Sequence, residues 1–182
     1  YETAIELDPK YAMPHCNLGA TLKDQGKLEQ AIDYFQRAIE LDPKCALAHT
    51  NLGVTLKEKG ELDDAITCYR KAIEVDPKYA LAHVGLGNAF YEQGKLDKAI
   101  ACFRTAIELD PKYAAAHNNL GRVYADQGKT DQAKAQFRAA LEIKPDFAEA
   151  HHNLAVMLDR QGDTVNAAVH FHAALRHGTD VA

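Results

Sequence analysis

Serine is missing altogether from this 182-residue chain. Catalysis by a serine nucleophile is thereby excluded. No apolar run approaches the roughly 20 residues needed to cross a bilayer. No signal-peptide pattern opens the chain either, although it begins inside a repeated motif. A basic excess is also lacking: the net charge is −5, which argues against a nucleic-acid or membrane partner. The four cysteines, at 16, 45, 68 and 102, form no CxxC pair. Cys68 and Cys102 lie one repeat apart, on helices expected about 8–10 Å from each other. That exceeds the roughly 7 Å between Cα atoms that a disulfide can span. Reduced thiols and a cytoplasmic location are the resulting expectation.

What the chain does contain is one phrase, over and over. "LDPK" begins at Leu7, Leu41 and Leu109, with "VDPK" at Val75 and "IKPD" at Ile143, always 34 residues on. Counting each unit from its opening alanine (Ala12, Ala46, Ala80, Ala114, Ala148), place seven is Leu throughout. Place eight is Gly19, Gly53, Gly87, Gly121 and then Ala155. Place fifteen is always Gly, place twenty always Ala, and place twenty-seven Ala again. Place twenty-four is aromatic: Phe35, Tyr69, Phe103, Phe137, Phe171. Pro43, Pro77, Pro111 and Pro145 hold place thirty-two in the first four units.

Each unit holds two runs of about fourteen residues with helical apolar spacing, divided by the place-fifteen glycine. That glycine supplies the left-handed turn ending the first helix, and proline closes the second. Small residues at places eight and twenty let two backbones approach, with the place-twenty-four ring filling the gap beside them. No unit can bury its apolar stripe alone, so the units must stack. An all-α solenoid of helix-turn-helix units is predicted. These residues resemble the tetratricopeptide repeat over essentially the whole chain, which implies a right-handed superhelix. Histidine stands where that family usually has a bulky aromatic at place four. The units run 12–45, 46–79, 80–113, 114–147 and 148–178, with a remnant of a preceding second helix at 1–11 and a tail at 179–182.

The histidines at place four (His15, His49, His83, His117, His151) are followed two residues on by asparagine in four units: Asn17, Asn51, Asn119 and Asn153. At 100° per residue, place four falls with seven, eight and eleven on one side of the first helix. Place six falls with two, nine and thirteen on the other. The histidines are thus expected to pack, and they lie too far apart to share a metal, whose ligands must meet within about 4 Å. No metal and no cofactor are expected. Asparagine suits a helix interior poorly, but its amide can pair with both main-chain groups of another segment. The column resembles the asparagine ladder of the repeats in the nucleocytoplasmic O-linked N-acetylglucosamine transferase. That resemblance implies capture of an extended peptide through its main chain in a concave groove.

Gly85 interrupts the column. Beside it the predicted groove offers Thr50, Val54, Asn88, Tyr91, Asn118 and Arg122 for selectivity, more apolar in the first three units than in the last two. Acids at place thirteen, such as Glu58 and Glu92, oppose the helix dipole and suit either a cationic partner or a solvated rim. Repeats that clamp a chaperone's terminal carboxylate resemble one another in a place-five lysine. Here that place reads Cys16, Thr50, Val84, Asn118 and His152, so no such clamp is expected. "GLG" at 85–87 sits inside a helical run and makes no phosphate loop.

A non-enzymatic scaffold for a protein or peptide partner is the leading expectation. A substrate-recruiting arm of a larger enzyme (a glycosyltransferase or a kinase) and a self-assembling structural module stay open beside it. Head-to-tail self-association through the uncapped N-terminal end is a further expectation. The last helix looks blander, with Ala168 in place of isoleucine and His177 in place of Leu41, as a terminal unit requires.

Overall fold

The computed structural model describes Ile5 and residues 7–178. The first residues of the expected N-terminal remnant, and the tail after Gly178, lie outside the described residues, so the face proposed for head-to-tail contact falls largely beyond them. Among the described residues from Ala12 onward, ten α-helices follow one another: α1 (Ala12–Asp24), α2 (Leu28–Leu41), α3 (Ala46–Glu58), α4 (Leu62–Val75), α5 (Ala80–Glu92), α6 (Leu96–Leu109), α7 (Ala114–Asp126), α8 (Thr130–Ile143), α9 (Ala148–Arg160) and α10 (Thr164–Gly178). No strand occurs among the described residues. The fold is an all-α solenoid built of helix hairpins.

Two compact units divide the chain, Tyr1–Lys95 and Leu96–Ala182. In the first, α1–α2 and α3–α4 form hairpins, α5 stacks on α3 and α4, and α1 also touches α3. In the second, α6 packs on α7, the hairpins are α7–α8 and α9–α10, and α7 touches α9.

The turns inside the hairpins follow from one residue. Gly26, Gly60, Gly94, Gly128 and Gly162 all have φ between 71° and 86°, a conformation without steric cost only for glycine. Gly26 N–H donates to the Lys23 carbonyl (2.8 Å) and Lys27 N–H to that of Leu22 (2.9 Å), and the same pair of bonds recurs after each first helix. These bonds satisfy carbonyls that the helix end would otherwise leave orphaned.

The core lies where the small and aromatic places meet. The place-twenty and place-twenty-seven alanines are fully buried in the first four units, as are Phe35, Tyr69, Phe103 and Phe137. The Gly53 backbone approaches Tyr69 so closely that a Cβ would fall 2.8 Å from its ring; Gly121 and Phe137 repeat this at 2.6 Å. The outer face of α10 departs from expectation: Val165, Val169 and Leu175 are exposed, so it is less polar than Ala168 and His177 suggest.

Candidate functional site

The histidines answer the first question the repeat raises. In every unit Nε2 lies 2.9–3.4 Å from the carbonyl of the proline six residues earlier: His15 to Pro9, His49 to Pro43, His83 to Pro77, His117 to Pro111, and His151 to Pro145. A carbonyl can only accept, so Nε2 carries the proton and Nδ1 the lone pair. His15 and His49 are buried, and the other three are half-buried. Each imidazole therefore pins the loop that delivers the chain into its first helix. The Pro–His spacing was visible in the sequence, but the bond it makes was not inferred there.

The free Nδ1 edge finds partners in the second unit. Gln136 Oε1 lies 2.9 Å from Nδ1 of His117; because that Nδ1 holds the lone pair, the bond forms with the carboxamide turned to present its N–H₂ group. His170 takes the corresponding position beside His151, with 2.8 Å between the two Nδ1 atoms. Because His151 is protonated on Nε2, its Nδ1 accepts and His170 donates. Burial pushes the His170 pKa down, helped by the neighbouring His151 and Arg138.

The asparagines sit on the row of first helices and are half-buried. Asn51 Nδ2 on α3 donates to Cys16 Sγ on α1 at 3.7 Å, and Asn153 Nδ2 on α9 donates to Asn118 Oδ1 on α7 at 3.0 Å. Place six of one unit thus meets place five of the unit before. The Oδ1 atoms of Asn51 and Asn153 have no partner among the described residues. Asn17 is half-buried without a side-chain bond, whereas Asn119 is engaged.

Place five itself requires a correction. Thr50 and Asn118, predicted to line an open groove, are fully buried, and Cys16 is nearly so. Thr50 Oγ1 donates to the Ala46 carbonyl (2.9 Å), within its own helix. The first helices are covered on two sides, by second helices and by neighbouring first helices, so the solvated stripe is narrower than a single amphipathic helix implies. Val54, Asn88, Tyr91 and Arg122 keep intermediate exposure. Arg122 reaches Glu149 on the next first helix at 3.4 Å.

The place-thirteen acids have partners inside the fold. Lys57 binds Glu92 at 3.1 Å, and Lys23 reaches Glu58 at 3.8 Å. Each lysine at place twelve thereby bridges to the following repeat, which explains an acid near a helix C-terminus without a cationic ligand. Exposed pairs of this kind contribute roughly 0–1 kcal/mol each.

Cys16, Cys45 and Cys68 are free thiols, and burial pushes Cys16 and Cys68 up to about 11. At neutral pH Cys16 and Cys68 are therefore protonated and poor nucleophiles. Among the described residues no group of three or more His, Cys, Asp or Glu is placed to hold a metal ion, and no helix is long and apolar enough to cross a membrane.

Tetratricopeptide-repeat models match residues 12–45, 34–67, 55–94, 87–128 and 121–162. The chain belongs to the tetratricopeptide repeat family. Among solved structures it is similar to Pseudomonas aeruginosa pilF, with 27% identity and a TM-score of 0.85 over 91% of this chain and 76% of that one. It also resembles MamA, at 28% identity and TM-score 0.73, covering 89% and 95% of the two chains. A third is YrrB, described as a TPR protein with an unusual peptide-binding site, at 25% identity and TM-score 0.68 over 99% and 93%. No curated protein matches significantly.

Proposed function

We propose that the chain is a non-catalytic protein-interaction scaffold that holds an extended peptide, or an extended segment of a partner, by its main chain. Asn17 and Asn51 are the rungs in the first unit, Asn119 and Asn153 those in the second. Val54, Asn88, Tyr91 and Arg122 flank them and set side-chain preference. Cys16 and Asn118 lie beneath, each holding the carboxamide of the next rung, Asn51 and Asn153, while Thr50 is turned into its own helix.

One observation carries this reading. The single bonds from Asn51 to Cys16 and from Asn153 to Asn118 use one amide proton each and fix the orientation of the carboxamide. Oδ1 and the second N–H are left over, an acceptor and a donor side by side. That is the complement of a peptide N–H and C=O. First helices spaced about 8–10 Å apart would place one rung at roughly every third residue of a strand rising about 3.3 Å per residue. Each bond contributes about 0.5–1.5 kcal/mol net, so affinity is a sum over rungs. Main-chain capture is also what the likeness to the transferase repeats implies, and the peptide-binding site described for YrrB supports a partner of this kind on this fold.

The test begins with a phage-displayed library of random 15-residue peptides selected on the immobilised protein. The best binder is then synthesised with a fluorescent label and titrated by anisotropy. Asn51→Ala combined with Asn119→Ala is expected to weaken binding about tenfold or more. Unchanged affinity would contradict the ladder.

A further inference from the structure

Place twenty-three, on the second helix, meets the place-four imidazole of its own unit in three cases. Tyr34 lays its ring beside His15, with 6.0 Å between centroids. Gln136 and His170 bond to Nδ1 of His117 and His151. In the repeat 46–79 this place is Cys68, and no hydrogen bond joins its thiol to His49 among the described residues. His49 is only 7% exposed. Its Nε2 is held by the Pro43 carbonyl at 3.0 Å, which leaves Nδ1 as an acceptor with no partner among the described residues.

Beside that imidazole lies a cleft of about 430 Å³. Its walls are Gln36, Ile39 and Glu40 of α2, His49 and Leu52 of α3, and Cys68 of α4. All three helices belong to the first compact unit. The second unit repeats the cleft place for place between α8, α9 and α10, where Arg138, Leu141, Glu142, Leu154 and His170 line about 280 Å³. There the His170 ring stands before His151, 5.1 Å away between centroids, and His151 no longer forms part of the wall. The protein itself thus shows what suits this imidazole: a flat ring that turns one N–H toward Nδ1.

We propose that the cleft of the first unit binds a small neutral aromatic molecule carrying one N–H or O–H donor, of the indole or phenol class. The ring lies against Ile39 and Leu52, where burial of apolar surface favours it, and its donor meets Nδ1 of His49. An acceptor buried this deeply without a partner is costly, and the ligand satisfies it. Cys68, shorter than glutamine or histidine, leaves the room. The volume falls in the roughly 300–1,000 Å³ range of small-molecule sites, which combine mostly apolar walls with a few placed polar groups. The rim favours a neutral ligand, because Glu40 is already bonded to Arg37 at 2.7 Å and Lys71 to Glu74 at 2.8 Å. Asn17 and Asn51 are not in these walls, so the site is separate from the peptide rungs and does not depend on them.

The test titrates the full chain, labelled on histidine nitrogen, with indole at pH 8 and follows the Nδ1 resonance of His49. Indole is expected to bind with a dissociation constant of about 0.1–1 mM and to shift that resonance to saturation. N-methylindole keeps the rings and lacks the donor, and is expected to bind about three- to tenfold more weakly. Cys68→Gln, which copies Gln136, is expected to fill the cleft and weaken indole about tenfold or more, whereas Cys68→Ala keeps the affinity within about threefold. No saturable binding below about 10 mM, equal affinity for the two indoles, or saturation with the His49 resonance unmoved would overturn the proposal. So would a folded Cys68→Gln that binds indole as the natural chain does, or loss of binding in Cys68→Ala. If Cys68→Gln does not fold, the comparison of the two indoles and the His49 resonance decide.

Discussion

The bond between Asn153 and Asn118 makes two apparently similar mutations act in opposite directions. Asn118 is fully buried, its Oδ1 accepts from Asn153 at 3.0 Å, and its own Nδ2 has no partner. Replacing Asn118 by valine, the residue at the same place in the third unit, loses one bond of about 0.5–1.5 kcal/mol. It also removes an orphaned donor whose burial costs about 1–3 kcal/mol. The half-exposed amide of Asn153 then turns to water. Asn118→Val should therefore be neutral or stabilising, by up to about 1 kcal/mol. Asn153→Ala loses the same bond but strands the Asn118 carboxamide with neither atom paired. A helix-propensity gain of about 0.5 kcal/mol offsets only part of this, and the expected loss is about 1–3 kcal/mol. Urea unfolding of the two single variants and of the pair measures both effects and their coupling. The double variant should be more stable than Asn153→Ala alone. The opposite ranking, with Asn118→Val the more damaging change, would show that Asn118 is satisfied by groups the geometry does not reveal.

Three further outcomes are expected. Gly121→Ala places a methyl 2.6 Å from a ring carbon of the buried Phe137; overpacking of about 1–3 kcal/mol exceeds the roughly 1 kcal/mol gained by removing a helical glycine, and a raised urea midpoint would contradict this. His49→Ala, which loses both a buried ring and the bond to Pro43, should cost about 2 kcal/mol, whereas His49→Phe loses mainly the bond and should cost about 1 kcal/mol or less, again by urea unfolding. His170 has its pKa lowered on folding, so the unfolded chain binds its proton more readily; the stabilising contribution is complete above about pH 6.5 and is lost as pH falls through the lowered folded value. Denaturation midpoints should fall more between pH 7 and 5 for the natural chain than for His170→Gln, which copies Gln136, and equal slopes would rule the effect out.

Much of the fold was legible because each local signal recurs in register. The glycines at place fifteen announce left-handed turns, and all five adopt them. The alanines and aromatics at places twenty, twenty-four and twenty-seven mark the contact between first and second helices, and in the first four units they are fully buried. The site was less legible, for a geometric reason. A helical wheel assigns one buried side, but α3 and α7 are each covered by a second helix and by a neighbouring first helix. Thr50 and Asn118 therefore left the open stripe, and the asparagines at place six ended half-buried between first helices. The acids at place thirteen looked like a recognition signal because their lysine partners lie one repeat away. Gly85 was visible as an exception to its column, whereas Tyr69 keeps the aromatic character of its own. Only the register of α4 against α5 brings the two together.

The side-chain amide resonances of Asn17, Asn51, Asn119 and Asn153, followed by nitrogen–proton NMR while the library-selected peptide is added, test the central claim most directly. If these carboxamides grip a peptide main chain, their signals shift together and saturate with the dissociation constant seen by anisotropy. Saturating shifts elsewhere on the protein, with these four signals unmoved, would contradict it.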